Sequence, residues 1–319
     1  MSLDLPTRSA STPPGPTPTG SGSTTPPATR GSRKPAKDRG APQARTGTLP
    51  GTVASYVTMV VAVGVMSVPL LWMLFASFKQ PDEIYSIPLQ WLPASFEPDN
   101  YAQVADTLPI GRLFLNSLGL TIVGSGLKML LGLCCAYALV FLEFPAKKVV
   151  FAVVIFALLI PQQITIIPNY TLVASLGWLN TYQGILVPGL ASAFGTFLFR
   201  QHFLTLPVSI LEAAALDGAG HWRRLWGFVL PMSLPTIAAV GLVSMVAEWN
   251  EYLWPFLVVD NAEMMTLPVG LTLLQNVDGL NNWGVLMAAT VLVTAPILAV
   301  FLVLQRRLVA GLTAGAVTG

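Results

Sequence analysis

From about residue 52 the chain is a succession of long apolar runs separated by short polar interruptions. Thr46 to Phe78 contains no charged residue, and Leu113 to Leu142 contains one, Lys128. Val149 to Phe199, Met232 to Ala247 and Trp283 to Gln305 contain none. A helix needs about 20 apolar residues to cross a bilayer. The pattern therefore predicts six spans, at roughly 52–77, 113–141, 149–169, 184–202, 232–258 and 284–304. The alternating apolar and polar decapeptides of a membrane β-barrel are absent. The expected fold class is an all-α polytopic membrane protein.

Composition agrees with the pattern. Hydrophobic residues make up 53% of the chain and charged residues only 10%, where a soluble domain carries about a quarter. Residues 1–50 are different: ten of the 26 prolines lie there among Ser, Thr, Gly and seven Lys/Arg. So few large apolar side chains cannot offset the entropy of ordering, and a disordered, solvated tail is expected. Cys134 and Cys135 are adjacent in an apolar run and read as small buried side chains, not a disulfide framework. Net charge is only +2, which gives no reason to expect a nucleic-acid partner.

The distribution of positive charge is more informative. With the N-terminus in the cytoplasm, 14 of the 17 Lys/Arg fall on that side, counting Lys147, Lys148, Arg200, Arg223, Arg224, Arg306 and Arg307 with the tail. The positive-inside rule then places both termini in the cytoplasm. It also places the polar segment Ser209 to Trp226 in the cytoplasmic connection between spans four and five. Ser209 and Glu212 have capping-box spacing, which predicts a short helix through Ala213, Ala214, Ala215 and Leu216. Gly218 and Gly220 are expected to stop it. The charges by themselves fit a cap and positive-inside anchors. Three alanines beside two glycines add a small-residue face, suited to close contact with another protein.

The run "EAAALDGAG…LP", from Glu212 to Leu230 and Pro231, resembles the EAA motif of permease subunits of binding-protein-dependent ABC importers. "SFKQPDEIYSIPLQWLP…DNYAQV", "LFLNSLGL", "AYALVFLEFP", "EWNEYLWPF" and "QRRLVAGLTAGAVTG" narrow the resemblance to the carbohydrate branch, the second permease type exemplified by the maltose importer. It covers about residues 51–319, and departs at Thr318, where lysine is usual. The resemblance implies a type I ABC importer permease fold in a bacterial plasma membrane. Segment 207–230 would be a cytoplasmic coupling helix, with Ser209, Glu212, Ala213, Ala214, Asp217 and Gly218 meeting the ATPase. Implied partners are a second, homologous permease subunit, a dimer of cytoplasmic ATPase subunits that binds ATP and Mg, and an extracellular substrate-binding protein. The cargo would be a sugar, a di- or oligosaccharide, with glycerol-phosphate or another polyol as the alternative.

Polar residues inside spans usually face a bundle interior or a pathway. Lys128, the Gln162, Gln163 and Thr165 set between Pro161 and Pro168, and Glu248, Trp249, Asn250 and Glu251 are the candidates. Structural roles compete: Trp249 and Trp254 fit an interfacial belt, and Lys128 can pair with Glu248 or Glu251. His202 and His221 lack metal-ligand spacing, so no metal site is expected. No G-x-x-x-x-G-K-[ST] occurs, so no phosphate cradle for ATP is expected on this chain. An ion-driven secondary transporter would call for a repeat between halves, and an intramembrane enzyme for a catalytic motif; neither is found in the sequence.

Overall fold

The computed structural model describes residues 49–274 and 282–314. The tail expected to be disordered, up to residue 48, and Thr318 lie outside the described residues. The chain divides into two units, Met1–Val57 and Thr58–Gly319. The first contributes the start of α1 (Leu49–Ala76) and the second everything that follows.

Two short helices, α2 (Pro81–Ile84) and α3 (Asp99–Thr107), lead to the 32-residue α4 (Ile110–Phe141). Next come α5 (Lys147–Leu159), α6 (Gln162–Ser175), α7 (Tyr182–Leu186) and α8 (Ala193–Phe203). The segment α9 (Val208–Leu216), α10 (His221–Arg224) and α11 (Leu230–Met232) precedes α12 (Leu234–Trp249). The chain continues through α13 (Leu253–Val258) and α14 (Leu267–Gly270) to α15 (Trp283–Ala314).

The spans are less regular than the hydrophobic pattern suggests. Among the described residues three helices are long and apolar enough to cross a bilayer unbroken: Val53–Ala76, Ile110–Phe141 and Trp283–Val303. The other expected spans are bent pairs. Lys147–Leu159 meets Gln162–Ser175 at 100°, Tyr182–Gly189 meets Ala193–Phe203 at 45°, and His221–Met232 meets Leu234–Trp249 at 83°. The expected spans at 149–169 and 184–202 are thus each interrupted, the bend at Ser233 falls at the start of the one expected at 232–258, and that one is interrupted between Trp249 and Leu253. Proline accounts for the first and last breaks. Ile160 precedes Pro161 and is held extended, as a residue before proline must be. Pro235 sits in the first turn of α12, where a missing N–H costs no helical bond, and Pro231 sits in the last turn before Ser233.

α4 is the centre of the bundle, and glycine allows its neighbours to approach. A Cβ at Gly132 would lie 3.3 Å from the Thr196 amide nitrogen and 3.4 Å from the Gly195 carbonyl carbon, on α8. On the α12 side, a Cβ at Gly241 would lie 2.9 Å from the Met129 sulfur. Small residues at crossings are how membrane helices gain van der Waals contact where no hydrophobic drive exists between them.

Two apolar clusters form around this crossing. One includes Leu113, Leu120, Ile185, Trp249, Leu267 and Ala288; the other includes Leu133, Tyr137, Phe199, Phe203, Leu211 and Val240. Buried polar groups fasten the first. Asn116 donates to the Glu263 and Met265 carbonyls at 2.8 and 3.0 Å, and accepts from Tyr182 Oη at 3.0 Å. Ser117 Oγ accepts the Leu267 amide at 2.7 Å.

Gly132→Val should therefore lower the melting temperature of the detergent-purified chain by several degrees, since overpacking a close contact costs about 1–3 kcal/mol. Gly126→Val, where nothing lies within 4 Å, should leave it unchanged. Equal melting temperatures for the two variants would remove the crossing from its central role.

Candidate functional site

The polar segment forms a helix, but not by the cap expected. α9 starts after Pro207, and no side-chain cap bond is made. Ser209 lies inside the first turn and is not the cap, because the helix already begins at Val208, with Pro207 in extended backbone before it. The C-terminus follows the glycine expectation closely. Gly218 adopts φ +78°, its N–H donates to the Ala215 carbonyl at 3.0 Å, and the Ala219 N–H donates to the Ala214 carbonyl at 2.9 Å. This is a Schellman closure, and it needs a residue without Cβ strain at the left-handed position. Gly220, by contrast, has φ −66° and opens α10.

The faces of α9 are now assigned. Leu211 and Ala214 are buried, Ala214 at 3% exposure, and Leu211 joins the second apolar cluster beside Leu225 and Val229. Ser209, Glu212, Ala213, Asp217 and Gly218 are exposed, as is Leu216 at 89%. Ala214 therefore anchors the helix to its own bundle and is not on the face open to a partner. Tyr137 Oη of α4 lies 3.3 Å from His221 Nδ1, tying α10 to the central helix.

The second candidate site is a cavity of about 250 Å³ that gathers Lys128, Gln162, Gln163, Thr165, Glu248 and Glu251. A larger hollow of about 440 Å³ runs along Arg112, Leu115, Gly119 and Val123; its wall is mostly apolar, whereas the smaller one collects the intramembrane polar groups. Helix breaks bring them together: the bend at Pro161 turns Gln162 and Gln163 toward the wall that α4 and the end of α12 provide. Asn169, Gly189, Trp254 and Thr266 also line it. Asn169 carries no signal in sequence beyond a chance glycosylation triplet.

Lys128 is paired with Glu248, and the two side chains are 22% and 16% exposed. A glycine makes room for the Glu248 end, and another lies in contact with the Lys128 end. A Cβ at Gly124, one turn before Lys128, would lie 2.8 Å from Glu248 Oε2, and a Cβ at Gly189 3.5 Å from Lys128 Nζ. Glu251 Oε1 accepts the Trp254 amide at 3.3 Å, and Trp254 Nε1 donates to the Gly184 and Ile185 carbonyls at 3.1 Å each.

Two expected pathway residues stand elsewhere. Trp249 is 4% exposed in the first apolar cluster, and its indole N–H donates to the Val293 carbonyl at 3.0 Å. Trp249 therefore fastens α12 to α15 and does not line the cavity. Asn250 turns its amide back to the Val246 carbonyl at 2.8 Å and is absent from the cavity wall. Among the described residues no cluster of His, Cys, Asp and Glu could hold a metal ion.

A multi-pass helical bundle with broken spans, an interior polar cavity and an exposed short helix defines a membrane transport component. Residues 128–314 match the family described as "Binding-protein-dependent transport system inner membrane component". The chain belongs to that family. It is 32% identical over 264 residues to the "sn-glycerol-3-phosphate transport system permease protein UgpE" of Yersinia enterocolitica, covering 81% of this chain and 94% of that one. The protein of the same name from Pectobacterium atrosepticum is 33% identical over 267 residues, covering 82% and 95%. Among solved structures, a chain of a bacterial ABC transporter involved in import of the acidic polysaccharide alginate aligns with a TM-score of 0.71 at 22% identity, covering 80% of this chain and 95% of that one. A chain of the alginate transporter in complex with its pentasaccharide-bound periplasmic protein aligns at 0.57 and 14%, covering 80% and 94%. These two establish likeness of fold.

Lys128→Met should strand the Glu248 carboxylate and cost about 2 kcal/mol, below the loss for a fully buried pair because both groups are partly exposed. Lys128→Met with Glu248→Leu should recover most of it. Thermal unfolding of single and double variants measures the coupling, and additive losses would show that the pair contributes no stability.

Proposed function

We propose that the chain is one of two membrane-spanning subunits of an ATP-driven importer, carrying a di- or oligosaccharide delivered by an extracellular binding protein. The observation that carries this reading is the exposed small-residue helix α9, closed at Gly218, within the stretch that matches the permease family. Such a helix, kept by a bundle that is otherwise apolar, serves contact with another protein. Ser209, Glu212, Ala213, Asp217 and Gly218 would meet a cytoplasmic ATPase dimer, which binds ATP and Mg. Closure of that dimer would push on α9 and switch the spans, six with each bent pair counted as one, between outward- and inward-facing states.

The names of the relatives favour a second reading for the cargo, a glycerol phosphate. The polysaccharide named for the structural neighbour keeps the carbohydrate class in view. Both readings share the machinery and both keep the protein in the plasma membrane. An ion-driven transporter fits less well, since family membership supplies the dependence on a binding protein.

Gly218→Leu should strain the left-handed turn and Glu212→Lys should reverse the charge of the contact face. Each should leave membrane insertion intact and abolish uptake and binding-protein-stimulated ATPase activity in the reconstituted complex; normal coupling in both variants would refute the docking role. A C-terminal reporter active only in the cytoplasm should work, and activity confined to the outer face would overturn the orientation.

A further inference from the structure

The wall of the 250 Å³ cavity carries three formally charged side chains, Lys128, Glu248 and Glu251. Lys128 and Glu248 cancel within their ion pair. At Gly124 a Cβ would come within 2.8 Å of Glu248 Oε2, so the absence of a side chain there lets the pair pack against α4. Glu251 makes no salt bridge among the described residues; its partner is a backbone amide. The cavity thus has a formal charge of −1, and the rest of its polar wall, amides and two hydroxyls, is neutral.

We infer that this cavity admits uncharged polyhydroxyl substrates and discriminates against anions, with Glu251 setting the sign. The inference rests on the importer reading only for treating the cavity as part of the pathway. An entering anion meets a like charge a few ångströms away where water is partly excluded, which disfavours its occupancy by about tenfold. Taking Lys128 for itself brings no relief, because that leaves Glu248 unpaired beside Glu251. A sugar ring meets no such conflict. Its hydroxyls donate to the carboxylates and exchange hydrogen bonds with Gln162, Gln163 and Thr165, while its C–H face suits the Trp254 ring. The glycerol-3-phosphate and acidic polysaccharide in the names of the similar proteins are anions, so the inference separates this chain from both.

The test reads cavity charge without knowledge of the cargo. In the assembled complex of both permeases and the ATPase subunits, made cysteine-free, Thr165→Cys places one thiol in the wall. Its modification rate is measured with the anionic sulfonatoethyl and the neutral hydroxyethyl methanethiosulfonate, each normalised to its rate with free cysteine. The anionic reagent should be about tenfold slower than the neutral one. Glu251→Gln should bring the two within about twofold, and Glu248→Gln with Glu251→Gln, leaving Lys128 unpaired, should make the anionic reagent the faster. Equal rates before any carboxylate is changed, or a ratio that Glu251→Gln does not move, would overturn the inference. ATPase stimulation by the binding protein is followed in parallel with the unsubstituted complex. Its absence would refute the transport reading and leave the charge measurement standing.

Discussion

The close crossing of α4 with α8 and α12 is the constraint on which the rest of the bundle depends. In an apolar solvent, helices gain little from burying further hydrocarbon, so contact distance becomes decisive. Gly132 lets the α8 backbone approach α4, and Gly241 accepts the Met129 side chain. With the three helices fixed at that spacing, apolar clusters fill both ends of the crossing, and a polar level is left between Leu120 and Leu133 on α4. Lys128 lies at that level. A lysine in such a place requires a partner, and α12 supplies Glu248.

The broken helices follow from what a cavity needs. A polar wall inside a membrane protein requires backbone and side-chain groups that unbroken apolar helices do not present. The bends at Pro161 and Ser233 turn the paired helices by 100° and 83° relative to each other. At the first bend, Gln162 and Gln163 become wall residues. At the second, the chain passes from the exposed α9 region into α12, which brings Glu248 to the cavity.

Much of this was legible in the sequence. The apolar runs located α1, α4 and α15, because a long uncharged run has few other uses. The EAA spacing located α9 and its glycine turn, since a left-handed position constrains residue type strongly. The bends were not legible: hydropathy records composition, and composition is the same for a straight span and for two helices at 100°. Neither were the faces. Ala213 and Ala214 are identical residues, yet one is exposed and the other buried, a difference that lies in helical phase against the bundle. Trp249 read as a cavity aromatic because it stands between Glu248 and Asn250; its indole turns instead to the Val293 carbonyl.

The bend at Ser233 has a mechanical consequence. Ser233 is fully buried, so the corner is held in the bundle, and the 16-residue α12 leads from it to Glu248. At 1.5 Å per residue the helix is about 24 Å long, so a swing of about 10° at the corner would carry its far end about 4 Å. A displacement of that size exceeds the reach of an ion pair. Were α12 to pivot with its neighbours there, the corner would act as a fulcrum, and the length of the helix would turn a small tilt on the α9 side into the parting of Glu248 from Lys128.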